Sequence, residues 1–436
     1  MTPTFLRDLA VIVSGELHDD SPALVSGFAT DSREAGPGDL FLAIKGVKVD
    51  GHDFDEQVLA KGVTGILAER PVMGPHILVP NLVQALGKLG SYYRDQFAGP
   101  VIGITGSAGK TTTKEFLAAA LSPLGEILKT EGNRNTEYTA PLLWPEVTPE
   151  TQAVVVEMAM RGLGQIAHLA SFSKPTVGVV TNIGWSHASE VGSREGIAEA
   201  KSELLSALPG DGVAVLPIED EFFGILAKAA GNRQIYTFGS TEAADCRVIG
   251  IQSEGWEGST INGFFADIPW QAHIPYLGKH FAQNVAAAIC TAAALGLAPQ
   301  EAAEALGDAE IPPMRMQVLE KDGVKILLDA YNASPASMRG AIETFMSLPV
   351  SGKRVAILGQ MNELGDESDR AHRELGEYMK TLDLAALVFG PLSAGYGLGA
   401  PVESISDLKS QISDLKEGDA ILIKGSRSLE LEKVLA

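Results

Sequence analysis

An apolar run that turns through a glycine-rich loop directly into a helical pattern is the feature that most constrains the fold. Residues 101–115 read V-I-G-I-T-G-S-A-G-K-T-T-T-K-E. From this point the order strand, loop, helix repeats, with further apolar runs at 153–157 and 175–181. Such runs are typical of parallel strands whose two faces are both covered. The sequence therefore predicts an α/β protein built around a mainly parallel sheet.

Two proline-containing segments divide the chain. Its 436 residues correspond to about three domains at roughly 150 residues each. Gly99-Pro100 and Ile311-Pro312-Pro313 are natural boundaries. We therefore predict a small mixed α/β domain over 1–98, a central domain over 99–311 and a Rossmann-like α/β domain over 312–436. Residues 245–278, with short alternating runs and many glycines, are expected to form antiparallel hairpins.

Composition excludes several classes of protein. The net charge is -21, with 34 Lys+Arg against 55 Asp+Glu, which argues against a general nucleic-acid binder. Cys246 and Cys290 are the only cysteines, so neither a zinc site nor a disulfide framework is expected. The N-terminus does not resemble a signal peptide, and the apolar stretch 285–298 is shorter than the ~20 residues that span a bilayer. We expect a soluble cytoplasmic protein without membrane insertion.

The glycine-rich loop predicts a phosphate site. A helix that starts at such a turn presents unpaired N–H groups and the positive end of its dipole to an anion. Lys110 would reach the β- and γ-phosphates of ATP, and the Thr111 hydroxyl would bind Mg2+. The spacing departs from G-x-x-x-x-G-K-[ST], because Ile104 stands where the first glycine is expected. The alternative is a glycine-rich turn with a solvated lysine. Transporters, kinases, switches and ligases all use phosphate loops, so the loop does not name the reaction.

Three further residues have the right chemistry for a metal site but weak signals. Glu157 ends an apolar strand, and ligands of open α/β sheets gather at the carboxyl ends of strands. A carboxylate there could bind the Mg2+ of a nucleotide, although such a residue is more often a cap. Spacing alone favours a structural or solvent-facing role for His187 and a solvent-facing helix position for Lys201.

Motifs along the whole chain resemble the Mur ligases, which extend the peptide of the UDP-linked muramic acid precursor of peptidoglycan. T-G-S-A-G-K-T-T-T-K-E resembles their nucleotide loop, and T-N-I-G-W-S-H with I-A-E-A-K-S-E resembles their second-metal segment. The segments T-D-S-R, D-A-Y-N-A-S-P-A-S-M, L-G-Q-M-N-E-L-G and K-G-S-R narrow the resemblance to one branch of the family. That branch uses ATP to join D-alanyl-D-alanine to UDP-N-acetylmuramoyl-tripeptide through an acyl phosphate. The resemblance implies a substrate-binding N-terminal domain, a central ATPase domain and a C-terminal ligase domain, and we expect a monomer.

The resemblance also implies residue roles. Lys110, His187 and Lys201 would be catalytic, and Thr111, Glu157, His187 and Lys201 would hold metal, with Lys201 carbamylated. The ATP site would comprise Gly106, Ser107, Ala108, Gly109, Lys110, Thr111, Thr112, Asn284, Arg315 and Asp329. The residues facing the UDP-sugar or the D-alanyl-D-alanine end would be Asp31, Ser32, Arg33, Lys45, Gly46, Asn133, Asn135, Thr136, Asn332 and Ala333.

Three departures from the family pattern affect these roles. Thr136, Tyr138 and Thr139 replace the usual Asn, Ile and Gly of the segment that reaches the UDP-sugar. Phe281 replaces an amide, and Gln360 stands where a carboxylate is usual. The remaining alternatives are the relative that adds the third peptide residue, a folylpolyglutamate synthase, and a nucleotide switch that makes no peptide product.

Overall fold

The N-terminal part of the chain forms a small mixed α/β unit. The computed structural model describes residues 2–46, 48–132, 134–184, 191–362 and 364–436. The helices of this part are α1 Leu6–Val13, α2 Asp55–Ala60 and α3 Leu82–Arg94. Its strands are β1 Thr4–Phe5, β2 Glu16–His18, β3 Leu24–Val25, β4 Gly27–Ala29, β5 Asp39–Leu42, β6 Gly65–Ala68 and β7 His76–Leu78. Strands β2-β7-β6-β5-β4 form one sheet, antiparallel only between β2 and β7.

The central part is dominated by one large sheet of order β16-β15-β14-β13-β12-β11-β8-β10-β9. Its strands are β8 Val101–Thr105, β9 Glu126–Lys129, β10 Thr151–Glu157, β11 Val177–Val180, β12 Val213–Pro217, β13 Gln234–Gly239, β14 Cys246–Ser253, β15 Ser259–Phe265 and β16 Ile268–Ile274. Its helices are α4 Lys110–Leu121, α5 Gln165–Ser173, α6 Arg194–Ser206, α7 Phe223–Ala230, α8 Phe281–Ala294 and α9 Pro299–Ala305. From β9 to β14 the strands are parallel, while β14, β15 and β16 pair antiparallel, as the sequence predicted for 245–278.

The C-terminal part is a second α/β unit with sheet order β17-β18-β21-β19-β20. Its strands are β17 Gln317–Lys321, β18 Val324–Asp329, β19 Arg354–Gly359, β20 Ala385–Phe389 and β21 Ala420–Lys424, and its helices are α10 Pro335–Ser347, α11 Ser368–Met379 and α12 Ile405–Ile412. Apolar runs at 325–329, 354–358 and 420–423 indicate β18, β19 and β21 in the sequence, whereas β17 and β20 were not predicted. Both missed strands lie at the edges of the sheet and are only partly buried, so their apolar signal is weaker.

The hydrophobic core joins the central and C-terminal parts. One continuous cluster runs from Ile102 and Phe116 through Phe281 to Leu327 and Phe345. The N-terminal part has clusters of its own, to which Leu142 of the central part contributes. The predicted fold class, α/β with three domains, is confirmed by this arrangement. Gly99-Pro100 and Ile311-Pro312-Pro313 separate the large sheets of the N-terminal, central and C-terminal parts along the chain, and the exact domain boundaries stay a prediction.

No helix within the described residues is both long enough and apolar enough to cross a membrane.

Candidate active site

The loop between β8 and α4 requires glycine at two positions. Gly106 has φ +153°, and a Cβ there would lie 1.8 Å from Thr181 Oγ1. Gly109 has φ +77°, and a Cβ there would lie 2.7 Å from Asn284 Oδ1. Because helix α4 begins at Lys110, the loop brings a cation to the start of the helix, where anions bind.

Residues after β11 hold the loop in place. Ser107 N donates to Asn182 O at 3.0 Å, and Ala108 N donates to Asn182 Oδ1 at 2.9 Å. The Thr181 hydroxyl donates to Ala108 O at 2.6 Å. Sequence reasoning assigned no function to Thr181 or Asn182 individually, although both stand at the end of a predicted strand. Polar side chains at the carboxyl end of a parallel strand could have indicated that these residues lie at a ligand site.

Lys110, Glu157 and Arg315 lie close enough to influence one another electrostatically. Removal from water lowers the pKa of Lys110, the Glu157 carboxylate opposes that shift, and the Arg315 guanidinium adds to it. Lys110 Nζ donates to Gly106 O at 2.7 Å. Arg315 Nη2 donates to Thr111 Oγ1 at 3.4 Å, so the C-terminal part contacts the phosphate loop directly.

Glu157 has a carboxylate oxygen available for a cation. The residue is only 3% exposed at the end of β10, and its Oε1 accepts a hydrogen bond from Asn135 Nδ2 at 2.9 Å. Among the described residues nothing donates to the buried Oε2. Mg2+ prefers oxygen donors, and both the unsatisfied Oε2 of Glu157 and the hydroxyl of Thr111, which follows Lys110 in the chain, are such donors, so the chemistry of these two residues fits that ion.

The second predicted metal position is only partly described. His187 lies outside the described residues, and these contain no group of three or more His, Cys, Asp or Glu that could hold a metal ion. Lys201 on α6 is 2% exposed, and none of the described residues forms a hydrogen bond or ion pair with it. Desolvation, with a further contribution from Lys110, lowers the pKa of Lys201 well below its ordinary value. The interpretation of Lys201 as a solvent-facing residue is therefore wrong.

The predicted C-terminal ATP residues form a connected group. The Arg315 guanidinium lies 3.9 Å from the centre of the Tyr331 ring. Asp329 accepts from Met316 N at 3.2 Å and from Lys424 Nζ at 2.6 Å. Lys424 is 1% exposed and also donates to Asn332 O at 3.0 Å. Sequence reasoning assigned no function to this lysine. Asp329 thus anchors the segment that carries Arg315 and does not point freely at a ligand.

The predicted substrate residues occupy two separate regions. In the N-terminal part, Arg33 donates to Asp31, and this interaction lowers the pKa of Asp31 to about 2. Ser32 O accepts from Lys61 Nζ at 2.8 Å, and Lys45 and Gly46 are exposed. In the C-terminal part, Asn332 Oδ1 accepts from Ala333 N at 2.8 Å, and Ala333 is buried.

Residues 134–140 of the central part contact both the phosphate site and the N-terminal core. Asn135 contacts Glu157 and so lies on the phosphate side, whereas Asn133 lies outside the described residues. Within the described part of the chain, the hydrogen bonds of exposed Thr136 are to Thr139 and Ala140 in its own turn. Tyr138 packs against the N-terminal core, and burial raises the pKa of its hydroxyl.

The other departures also have structural explanations. Phe281 is a core residue, 2% exposed, whose ring lies 5.9 Å from that of Phe116 in an edge-to-face contact. Gln360 Nε2 donates to Asn362 Oδ1 at 2.8 Å, and its Oε1 accepts from Leu392 N at 3.0 Å. The neighbours of Gln360 therefore require one donor and one acceptor from this side chain. An amide supplies both, whereas an ionised carboxylate can only accept. Of the two remaining predicted ATP residues, Asn284 lies against Gly109 and Thr112 is buried in α4.

Family models match most of the chain. They are the Mur ligase family, catalytic domain, at 24–94, the Mur ligase middle domain at 104–292, and the Mur ligase, glutamate ligase domain, at 314–427. A UDP-N-acetylmuramoyl-tripeptide–D-alanyl-D-alanine ligase of Bacillus subtilis (strain 168) is 37% identical, over 99% of this chain and 97% of that protein. The chain belongs to the Mur ligase family.

Solved Mur ligase structures share the architecture. A crystal structure of MurF from Acinetobacter baumannii is 31% identical and superposes with a TM-score of 0.91 over 100% of this chain and 98% of that one. A MurF ligase of Thermotoga maritima in complex with ADP is 33% identical, with a TM-score of 0.83 over 94% and 96% of the two chains. The resemblance seen in the motifs is thereby confirmed along the whole chain.

Proposed function

We propose that this Mur ligase joins D-alanyl-D-alanine to UDP-N-acetylmuramoyl-tripeptide at the expense of ATP, giving the UDP-linked pentapeptide, ADP and phosphate. One observation carries the proposal. Lys110, Glu157 and Arg315, from two domains, meet at one phosphate loop in a chain that matches ligases of this name over its full length. The reaction belongs to peptidoglycan precursor synthesis.

ATP is needed because a carboxylate is a poor electrophile. Transfer of the γ-phosphoryl group to the terminal carboxylate of the tripeptide forms an acyl phosphate. The amine of D-alanyl-D-alanine then attacks the carbonyl carbon, and phosphate leaves from the tetrahedral intermediate. Lys110 and Arg315 place positive charge where phosphate charge develops. The contact between Arg315 and Thr111 brings the C-terminal domain over the loop, which helps to exclude water from the acyl phosphate.

Thr111 and Glu157 would hold Mg2+, which neutralises phosphate charge and orients the transferring group. The unpartnered Oε2 of Glu157 supports this assignment. Asn135 fixes the other oxygen and so leaves Oε2 free to bind the ion. His187 and Lys201 are proposed for a second metal position.

Lys201 is proposed to be carbamylated. Because only an uncharged amine attacks CO2, the low pKa of Lys201 favours the reaction. The nitrogen loses a proton as the N–C bond forms, and the product is a carboxylate. That carboxylate would give Lys201 the negative charge that a metal ligand needs and would lie in the field of Lys110.

The substrates are proposed to lie between the domains. Asp31, Ser32, Arg33, Lys45 and Gly46 would face the UDP-sugar, and the segment with Asn133, Asn135 and Thr136 would reach it from the central domain. Asn332 and Ala333 would line the D-alanyl-D-alanine site. Since residues of one chain assemble the ATP site, we further propose that the enzyme acts as a monomer, in the cytoplasm.

Phosphate release by the purified protein with ATP and Mg2+ tests the proposed function. UDP-N-acetylmuramoyl-tripeptide and D-alanyl-D-alanine are added separately and together, and the products are identified by mass spectrometry. Release only with both, together with the pentapeptide mass, is expected. Equal release under all conditions would indicate a nucleotide switch, and a product from a different amino acid would indicate another step of the same family.

A further inference from the structure

We propose that Lys114 is a positioning residue for Glu157, which it reaches through Thr130, and that it thereby sets the affinity of the site for the divalent cation. The inference rests on the proposed function only in taking Glu157 as a metal ligand. Lys114 itself contacts neither nucleotide nor metal.

Lys114 is a completely buried lysine on the helix that follows the phosphate loop. It lies one turn after Lys110 on α4, and its side chain is 0% exposed. Lys114 Nζ donates to Thr130 O at 2.5 Å and lies 3.1 Å from Glu115 Oε1. The other Glu115 oxygen forms an ion pair with Lys129. A buried ammonium group is costly to desolvate, so its contacts must be well made for it to be retained.

Thr130 connects this lysine to the predicted metal ligand. The Thr130 hydroxyl accepts a hydrogen bond from Glu157 N at 3.0 Å, and Thr130 N donates to Val155 O at 3.0 Å. The segment that continues from Thr130 carries Asn135, which donates to Glu157 Oε1 at 2.9 Å. Both the backbone and the carboxylate of Glu157 are therefore restrained by the segment that begins at Thr130.

The sheet topology explains why this segment needs an anchor. Strand β9, which ends just before Thr130, is at the edge of the central sheet and pairs only with β10. An edge strand has no second neighbour to hold its end. Lys114, on helix α4, donates to Thr130 O and so restrains the chain at the end of β9. Because α4 also carries Lys110 and Thr111, one rigid helix fixes both the phosphate-binding cation and the carboxylate opposite it.

A purely structural role would predict a different result. If Lys114 only stabilised the fold, its replacement would lower the melting temperature and leave metal binding by the folded protein unchanged. A positioning role predicts weaker metal binding at temperatures where the variant is fully folded. Residues that orient metal ligands typically change metal affinity by about 10–100-fold when replaced.

The experiment measures Mn2+ binding, with Mn2+ as the probe for the Mg2+ site. Free Mn2+ is followed by electron paramagnetic resonance in the presence of ADP, for the wild type, Lys114→Met, Lys114→Arg and Lys129→Met. Lys129→Met is the matched control, because it removes the other cation paired with Glu115, and among the described residues the Lys129 side chain donates no hydrogen bond to Thr130. We expect the Kd for Mn2+ to rise by about tenfold or more in Lys114→Met, to recover partly in Lys114→Arg, and to stay unchanged in Lys129→Met.

Unchanged Mn2+ affinity in folded Lys114→Met would overturn the inference, whatever the melting temperature. If Lys114→Met does not fold, Thr130→Val replaces it, since that change removes the hydroxyl that accepts from Glu157 N and keeps the side-chain size. A Kd equal to that of the wild type in Thr130→Val would equally overturn it. A wild-type protein that binds Mn2+ with ADP but makes no pentapeptide would contradict the proposed function and leave this inference standing.

Discussion

Lys201 lies in an unusual environment for a lysine, and this environment supports the proposal that it is carbamylated. Its side chain has no hydrogen bond or ion pair with the described residues and is 2% exposed, although Glu199 and Glu203 stand two positions before and after it on the helix. An uncompensated charge in such a place is unfavourable, so desolvation, with a further contribution from Lys110, lowers the pKa of Lys201 well below its ordinary value and favours the neutral amine. A neutral amine is free to take up CO2, and the resulting carboxylate restores a charge that a metal can balance.

Replacement of Lys201 should therefore abolish a carbamate and slow the reaction. We expect a carbamate signal in the 13C NMR spectrum of the wild type in 13C-bicarbonate, and no such signal in Lys201→Ala. The ligation rate of Lys201→Ala should fall by about 100-fold or more, with partial recovery on addition of short carboxylates. Lys228→Ala, at an exposed helix position of the same domain, serves as the control. Full activity of Lys201→Ala without added carboxylate would contradict the assignment.

Residue-level prediction was possible where a motif carries its own chemistry. The glycines and Lys110 could be placed because the loop needs positive φ angles and a cation at a helix start. Contacts between distant segments could not be predicted in the same way. The hydrogen bond from Asn135 to Glu157 and the ion pair of Asp329 with Lys424 depend on the registers of parallel strands, which one sequence does not reveal.

At the scale of secondary-structure elements, the hairpin of β14 and β15 in the central domain contacts the C-terminal domain. Trp256 in its turn donates from Nε1 to Pro349 O at 2.8 Å. Its ring lies 6.5 Å from that of Phe345 on α10, in an edge-to-face contact. Gly255, with φ +66°, lets the turn approach the Pro349 ring. The hairpin therefore helps to hold the domain that carries Arg315 over the phosphate loop.

Weakening this contact should impair nucleotide binding without touching the site. Trp256→Phe removes a hydrogen bond worth about 1 kcal/mol, which corresponds to roughly a fivefold change in an equilibrium. We expect the KM for ATP to rise by about two- to fivefold, with a smaller effect on kcat. Ile249→Ala, at an exposed position of the same hairpin, is the matched control. Steady-state kinetics with equal KM values for wild type and Trp256→Phe would show that the hairpin does not set the domain arrangement.

Elements with strong apolar patterns could be predicted, and edge strands could not. The alanine-rich stretch 280–295, whose composition predicts a helix, forms α8, and the apolar run 153–157 lies within β10. Strands β9 and β17 have intermediate or exposed positions throughout, so their sequences lack the continuous apolar run of a central strand. Strand β9 matters most here, because its end anchors the segment that restrains Glu157.

At the scale of the whole molecule, two domains share one core and one site. The continuous hydrophobic cluster and the contact of Arg315 with Thr111 both link the central and C-terminal domains. The N-terminal domain is joined differently. The Arg94 guanidinium on α3 donates to Ser173 O at 2.9 Å and Lys174 O at 3.0 Å, at the end of α5. These contacts join the three domains, and the motifs could not predict them because each contact pairs residues that are distant in the sequence.

The most direct test of the account follows an oxygen atom from the tripeptide to phosphate. UDP-N-acetylmuramoyl-tripeptide labelled with 18O in the carboxylate that is ligated is incubated with ATP, D-alanyl-D-alanine and the purified protein, and the released phosphate is analysed by mass spectrometry. Activation through an acyl phosphate transfers one carboxylate oxygen to each phosphate, so one 18O per phosphate is predicted for every pentapeptide formed. Unlabelled phosphate would contradict the claim that this loop uses ATP to activate a carboxylate.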